Sequence, residues 1–195
     1  MAADGSKTQI KLEDIIKQVE GQRYPPVDKW NPDFCGDIDM QIKRDGTWFY
    51  MGTPIGRERM VRLFSTILRK DEDGKTYLVT PVEKVGIGVE DAHFIATNVD
   101  VITEGDEQAL KFTTNVGDEV IADAAHPLRV ETDEVTGEPR PYILIRGRLE
   151  ALIARSVFYE LVEHAQTVRD SGRAHLEIRS RGTIFKLGDI DDGEM

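Results

Sequence analysis

Three charged residues interrupt stretches whose spacing asks for apolar side chains: Arg57, Glu150 and Arg155. At 100° per residue, Arg57 shares an angular face with Met60 and Phe64 in a helix predicted over 57–68. Glu150 falls between Ile153, Val157 and Leu161 in the first turn of a second helix, predicted over 149–165. Arg155 sits beside Tyr159 and Val162 on an otherwise apolar flank, and Arg146 lies just before the same helix. A buried guanidinium needs a carboxylate, a ligand anion or water. Arg57, Arg146 and Arg155 are therefore candidate seats for an anionic ligand such as a nucleotide phosphate, with Glu150 as the internal carboxylate. The free N–H groups and positive dipole end of a helix make the first turn at Arg57 an anion seat. The alternative is that long charged side chains near a helix start simply reach water, and that a glutamate there suits the dipole.

Asn98, Asn115, His126 and Arg129 form a second set, at the mouths of predicted strands. Such residues also serve ordinary turn chemistry. Metal binding finds no support. His93, His126, His164 and His175 are scattered, and Cys35 has no partner nearby, whereas zinc sites cluster their ligands. The runs 71–74 and 189–193 vaguely resemble calcium loops but lack the downstream glutamate. Gly86-Ile87-Gly88 opens no helix and has no third glycine, so the dinucleotide fingerprint fails. There is no phosphate-cradling loop and no nucleophile elbow, so no catalytic residue and no cofactor is expected.

The elements that must position these residues read as follows. A short amphipathic helix is predicted over 10–19, then an extended connector through Tyr24-Pro25-Pro26 and Asn31-Pro32, with Trp30 and Phe34 as its anchors on the core. Residues 38–42 and 47–51 form a hairpin about Asp45-Gly46. The 57–68 helix follows, then strands over 75–80 and 83–89. Strands over 94–102, 109–114, 119–122 and 128–131 make an antiparallel meander, closed by a strand over 142–145. Gly147 ends that strand, and the 149–165 helix, apolar nearly all round, reads as the central helix of the protein. Strands over 175–178 and 183–187 complete the chain, and 189–195 is expected to fray. A weak internal repeat aligns Leu63, Phe64, Ile67 and Leu68 with Val157, Phe158, Leu161 and Val162.

The totals narrow the classes. The 195 residues suit one large domain or two small ones, and 39% hydrophobic content supports a packed core. A net charge of -11 opposes nucleic-acid and anionic-membrane partners. No apolar run is long enough to span a bilayer, no signal peptide is visible and a single cysteine forms no internal disulfide, which together point to a cytoplasmic protein.

The stretches RDGTWFYMGTPIGRERMVRLFSTIL, TYLVTPVEKVGIGVED, HPLRV and PYILIRGRLEALIARSVFYELVEHA resemble a bacterial family, the domain-of-unknown-function family twelve-eighty-five. The resemblance implies an α+β architecture of two tandem related domains with a duplicated core, each an antiparallel sheet with one main helix. It implies a C-terminal domain superficially like a pleckstrin-homology fold, a ligand site between the domains and a role in signal transduction. It supplies no catalytic residues. The expected boundaries are 1–91, of which 1–36 is lead-in and connector, and 92–195. The expected function is a non-catalytic signalling module that binds a small, nucleotide-like molecule through Arg57, Arg146, Glu150, Arg155, Tyr159, His126 and Arg129. The alternatives are an enzyme with a dispersed site for a phosphate-bearing metabolite, and a scaffold for a protein partner.

Overall fold

A computed structural model describes residues 24–105, 107–170 and 173–190. The helix expected over 10–19 and the frayed end at 191–195 lie outside them. The chain divides into two compact units, one of residues 1–43 and 47–90, the other of 44–46 and 91–195. Among the described residues each holds a mostly antiparallel sheet and one α-helix.

The first unit opens with a 3₁₀ turn, Val27–Lys29. Strands β1 (Phe34–Ile42), β2 (Trp48–Tyr50) and β3 (Thr53–Pro54) follow, then helix α1 (Glu58–Thr66). Strands β4 (Leu68–Lys70), β5 (Thr76–Val79) and β6 (Lys84–Val89) close it. The sheet runs β3-β2-β1-β6-β5-β4, with β1 and β6 parallel and the other pairs antiparallel. Phe64 of α1 is fully buried and stacks on Trp48 of β2 at 6.4 Å between ring centroids. The helix stops two residues short of the expected 57–68, because Leu68 pairs with Leu78 as a strand residue. Of the two expected anchors of the connector, Trp30 is half-buried and Phe34 is not an anchor. Phe34 is 54% exposed, with its ring edge-on to Tyr77. Arg69 instead holds the connector, donating from Nη1 to the carbonyls of Val27 and Trp30 at 2.8 and 2.7 Å.

The second unit holds β7 (Phe94–Glu104), β8 (Glu107–Thr114), β9 (Glu119–Ile121), β10 (Leu128–Thr132), β11 (Pro139–Arg146) and β12 (Leu149–Ile153). Helix α2 (Arg155–Glu163) follows, then β13 (Gln166–Asp170), β14 (Arg173–Ser180) and β15 (Thr183–Ile190). Its main sheet runs β10-β11-β12-β7-β8-β9, with β12 and β7 parallel. This is the order of the first sheet: two three-strand meanders joined by a parallel pair of their outermost strands in sequence. The duplication therefore lives in the sheets. The helices sit differently, α1 between the two meanders of its sheet and α2 after both. In the second unit β13, β14 and β15 form a sheet of their own.

The central helix expected over 149–165 is two elements. Leu149–Ile153 is a strand, buried at every second residue, and the helix occupies only Arg155–Glu163. Arg146 and Leu149 are register partners across the two-residue loop Gly147-Arg148, and Gly147 has φ +53°. A glycine in first place of such a loop is the mark of a tight hairpin. A run that satisfies both periods takes the strand when partners β11 and β7 wait on either side. Phe64, Phe158 and Leu161 are buried, but Leu152 is only half-buried. It lies on the opposite face of β12 from Ala151 and Ile153.

Candidate functional site

The register of β10, β11 and β12 sets a polar row on one face of the second sheet. Arg129 lies beside Tyr142, Tyr142 beside Leu152, and Glu150 beside Leu144. Arg129 and Glu150 are two strands apart, yet their long arms meet over the middle strand. Nε and Nη2 of Arg129 donate to the two carboxylate oxygens of Glu150, both at 2.7 Å. The guanidinium lies 4.3 Å from the centroid of the Tyr142 ring. Planar fork, carboxylate and aromatic face suit one another. The hydrogen bond that Arg129 donates to Glu150, opposed by burial, holds the guanidinium more firmly charged than usual. The Glu150 backbone is fixed as well: its N–H donates to Nδ1 of His93 at 3.4 Å and its carbonyl accepts from the His93 N–H at 3.1 Å.

The row continues through Asp91. Tyr142 donates its hydroxyl proton to Asp91 at 2.8 Å, and Arg140 pairs with the same carboxylate at 2.5 Å. Burial, then that hydrogen bond, push the Tyr142 phenol up to about 12. Arg129 also pairs with Glu131, and Arg140 with Asp133 at 3.7 Å. Two arginines thus face four carboxylates. The arrangement clasps three strands together, and any incoming anion has to displace a carboxylate.

The other predicted residues go elsewhere. Arg146 pairs with Asp118 and lies 5.0 Å over the Phe94 ring. His126 places Nδ1 3.0 Å from the Leu144 carbonyl and so locks the turn before β10. Arg155 and Tyr159 lie on α2, and Tyr159 is 57% exposed. Arg155 reaches Glu138 at 2.5 Å. Arg57 is an exposed residue of the first unit. It stands at the N-cap of α1 with extended backbone, not within the first turn, and its side chain caps nothing. Glu150 is likewise not at a helix start but in mid-strand. The structure brings Arg129 and Glu150 together and disperses the rest of the second unit's candidates.

A groove that no sequence motif marks opens in the second unit, with a volume of about 490 Å³. Val130, Phe158, Val162, Leu176 and Leu187 make its apolar lining, and Thr132, Lys186 and Asp189 its polar one. These residues come from β10, α2, β14 and β15. Gly137 and Pro139 at the entry to β11 also border it, so the Arg155–Glu138 pair ties α2 to this margin. The only signal in the sequence was the apolar arc of α2, which reads equally well as core. A smaller, more polar cavity of about 240 Å³ lies between Gln108, His164, Gln166, Glu177 and Arg179. Among the described residues no group of three or more His, Cys, Asp or Glu is placed to hold a metal ion, and no helix is long and apolar enough to cross a membrane.

Comparison with known proteins bears on family rather than chemistry. Residues 25–92 match the N-terminal domain and residues 93–187 the C-terminal domain of a protein of unknown function, DUF1285. A crystal structure of a DUF1285 family protein from Silicibacter pomeroyi DSS-3 is 48% identical, covers 92% of this chain and 96% of its own, and gives a TM-score of 0.84. A second, from Shewanella baltica OS155, is 24% identical over 64% of this chain and 90% of its own, with a TM-score of 0.49. No curated protein matches. The two domain matches, which together span most of the chain, and the 48% identity over nearly its whole length place this protein in the DUF1285 family.

Proposed function

We propose that the protein is a non-catalytic ligand-binding module whose ligand sits in the groove between α2, β10 and β15. The observation that carries this reading is the groove itself. Its volume of about 490 Å³ lies in the range of ligand sites, and apolar side chains share its lining with Thr132, Lys186 and Asp189. A nucleotide-like molecule is one ligand of that description, its base on the apolar floor and its phosphate at Lys186 or Arg155. Both cations are held in exposed pairs, with Asp189 and Glu138, and such pairs give way at little cost. Binding without turnover is what signal transduction asks of such a module.

The test is a screen of apolar fragments and mononucleotides by heteronuclear NMR. Shifts should gather on Val130, Phe158, Val162, Leu176 and Leu187, and Val162→Trp, which fills the groove, should erase them. Shifts that ignore these residues, or that survive Val162→Trp, refute the groove as the site.

A further inference from the structure

The smaller cavity of the second unit, of about 240 Å³, shares no lining residue with the groove. It lies where β14 outruns β13. Gln166, the first residue of β13, is the register partner of Glu177, so the last three residues of β14 pass beyond it. There Gln108 of β8 takes over, donating from Nε2 to the Arg179 carbonyl at 2.8 Å. Alternation sends Glu177 and Arg179 to one face of β14, and the register sets Gln166 beside Glu177 and Ile184 beside Arg179. His164, the C-cap of α2, also lines the cavity.

Two opposite charges thus border one cavity without meeting. Among the described residues the Arg179 guanidinium has no hydrogen-bond or ion-pair partner, and neither have the side chains of His164 and Gln166. Oε1 of Glu177 lies 2.7 Å from Nε2 of His175, which holds the carboxylate in place, while Oε2 has no partner among the described residues. Strand rise sets the roots of Glu177 and Arg179 about 7 Å apart. A hydrogen bond of about 2.8 Å on either side leaves room for a group whose two charges sit on neighbouring atoms. Pockets for drug-sized ligands start at about 300 Å³, so the occupant is smaller than that. We infer that this cavity is a site for a free α-amino acid, its carboxylate forked on Arg179 and its ammonium on Glu177. Glu177 and the negative end of α2 at His164 oppose a dianion such as phosphate. The amides of Gln108 and Gln166 add neutral donors and acceptors, and Ile184, 50% exposed, offers apolar surface to the ligand's side chain. The site stands apart from the groove and does not depend on it.

The experiment titrates the common L-amino acids, one at a time, into the full chain and reads heteronuclear NMR. Shifts should gather on the side-chain amides of Gln108 and Gln166 and the backbone amides of Glu177 and Arg179, and should persist in Val162→Trp, whose change lies in the groove. The tightest binder is then compared with its deaminated acid and its decarboxylated amine. Each should bind at least about tenfold more weakly, because each forfeits one charge-assisted pair. Arg179→Gln, a change at an exposed position, should remove binding. Glu177→Gln should bring the amino acid down to the level of its deaminated acid. No shift with any amino acid overturns the inference, as does a deaminated acid that binds as tightly as the amino acid, or binding that survives Arg179→Gln. Shifts that gather instead on Val130, Phe158 and Leu187 and vanish in Val162→Trp assign the amino acid to the groove, and they too overturn the inference.

Discussion

Replacing Glu150 by glutamine keeps the shape of the clasp and removes its charge. Two charge-assisted bonds of 2.7 Å to Arg129 are then weakened at once. A fully buried pair broken this way costs about 3–5 kcal/mol, and a fully exposed one about 0–1 kcal/mol. Side-chain exposures of 41% for Arg129 and 26% for Glu150 set this pair between those limits. The expected loss is about 1–2 kcal/mol, below the buried limit because water screens both partners. The Tyr142 ring is untouched by the change, so its share of the guanidinium's environment remains. A cycle of Glu150→Gln, Arg129→Met and the double variant isolates the coupling. Both tryptophans, Trp30 and Trp48, lie in the first unit, so tryptophan fluorescence follows that unit in urea. Circular dichroism then picks out the transition of the second. A coupling of about 1–2 kcal/mol that shrinks with added salt is expected; a value under about 0.5 kcal/mol, the limit for independent sites, refutes the clasp.

Phe64→Ala should destabilise the first unit by about 3–5 kcal/mol, read from the fluorescence midpoint, because the ring is fully buried against Trp48. Phe158→Ala should fall near the lower end of about 3–5 kcal/mol, since one side of its ring already borders the groove. Burial pushes the Asp71 carboxyl up, but hydrogen bonds and charge from Arg69 and Lys84 carry it below its usual value. A carboxyl so depressed adds stability above its unfolded value of about 4, and the gain is lost as pH falls through the folded value. Asp71→Asn should therefore be less stable than the parent at neutral pH, with the gap closing in acid, by the same fluorescence assay. Tyr142, held at about 12, acts in the opposite sense. Its contribution is intact below its ordinary value of about 10 and fades as pH rises from there toward 12, so Tyr142→Phe should flatten that alkaline loss in a urea series. Gly147→Ala should cost about 1 kcal/mol in the dichroism midpoint, because φ +53° at the hairpin penalises a side chain.

Local chemistry was legible in the sequence wherever a few neighbouring residues decide the outcome. The Asp45-Gly46 hairpin, the α1 face of Phe64, and the strand-turn-strand run from β7 to β9 all rest on short-range periods and turn residues. Family motifs read along the chain carried the two-domain α+β plan. What the sequence left open was decided across long separations. Leu149–Ile153 was read by its pattern as the start of the 149–165 helix, and β11 and β7 on its two sides made it a strand instead. Glu150 was singled out as a carboxylate at a helix start, but it lies in mid-strand, and its partner Arg129 is 21 residues away and is brought over by pairing through β11. The groove needs β10, α2 and β15, drawn from distant stretches whose apolar residues look like any core. Periodicity tells a side chain which way to face within its own element. It says nothing about which other element will stand opposite, and that choice belongs to the packed fold.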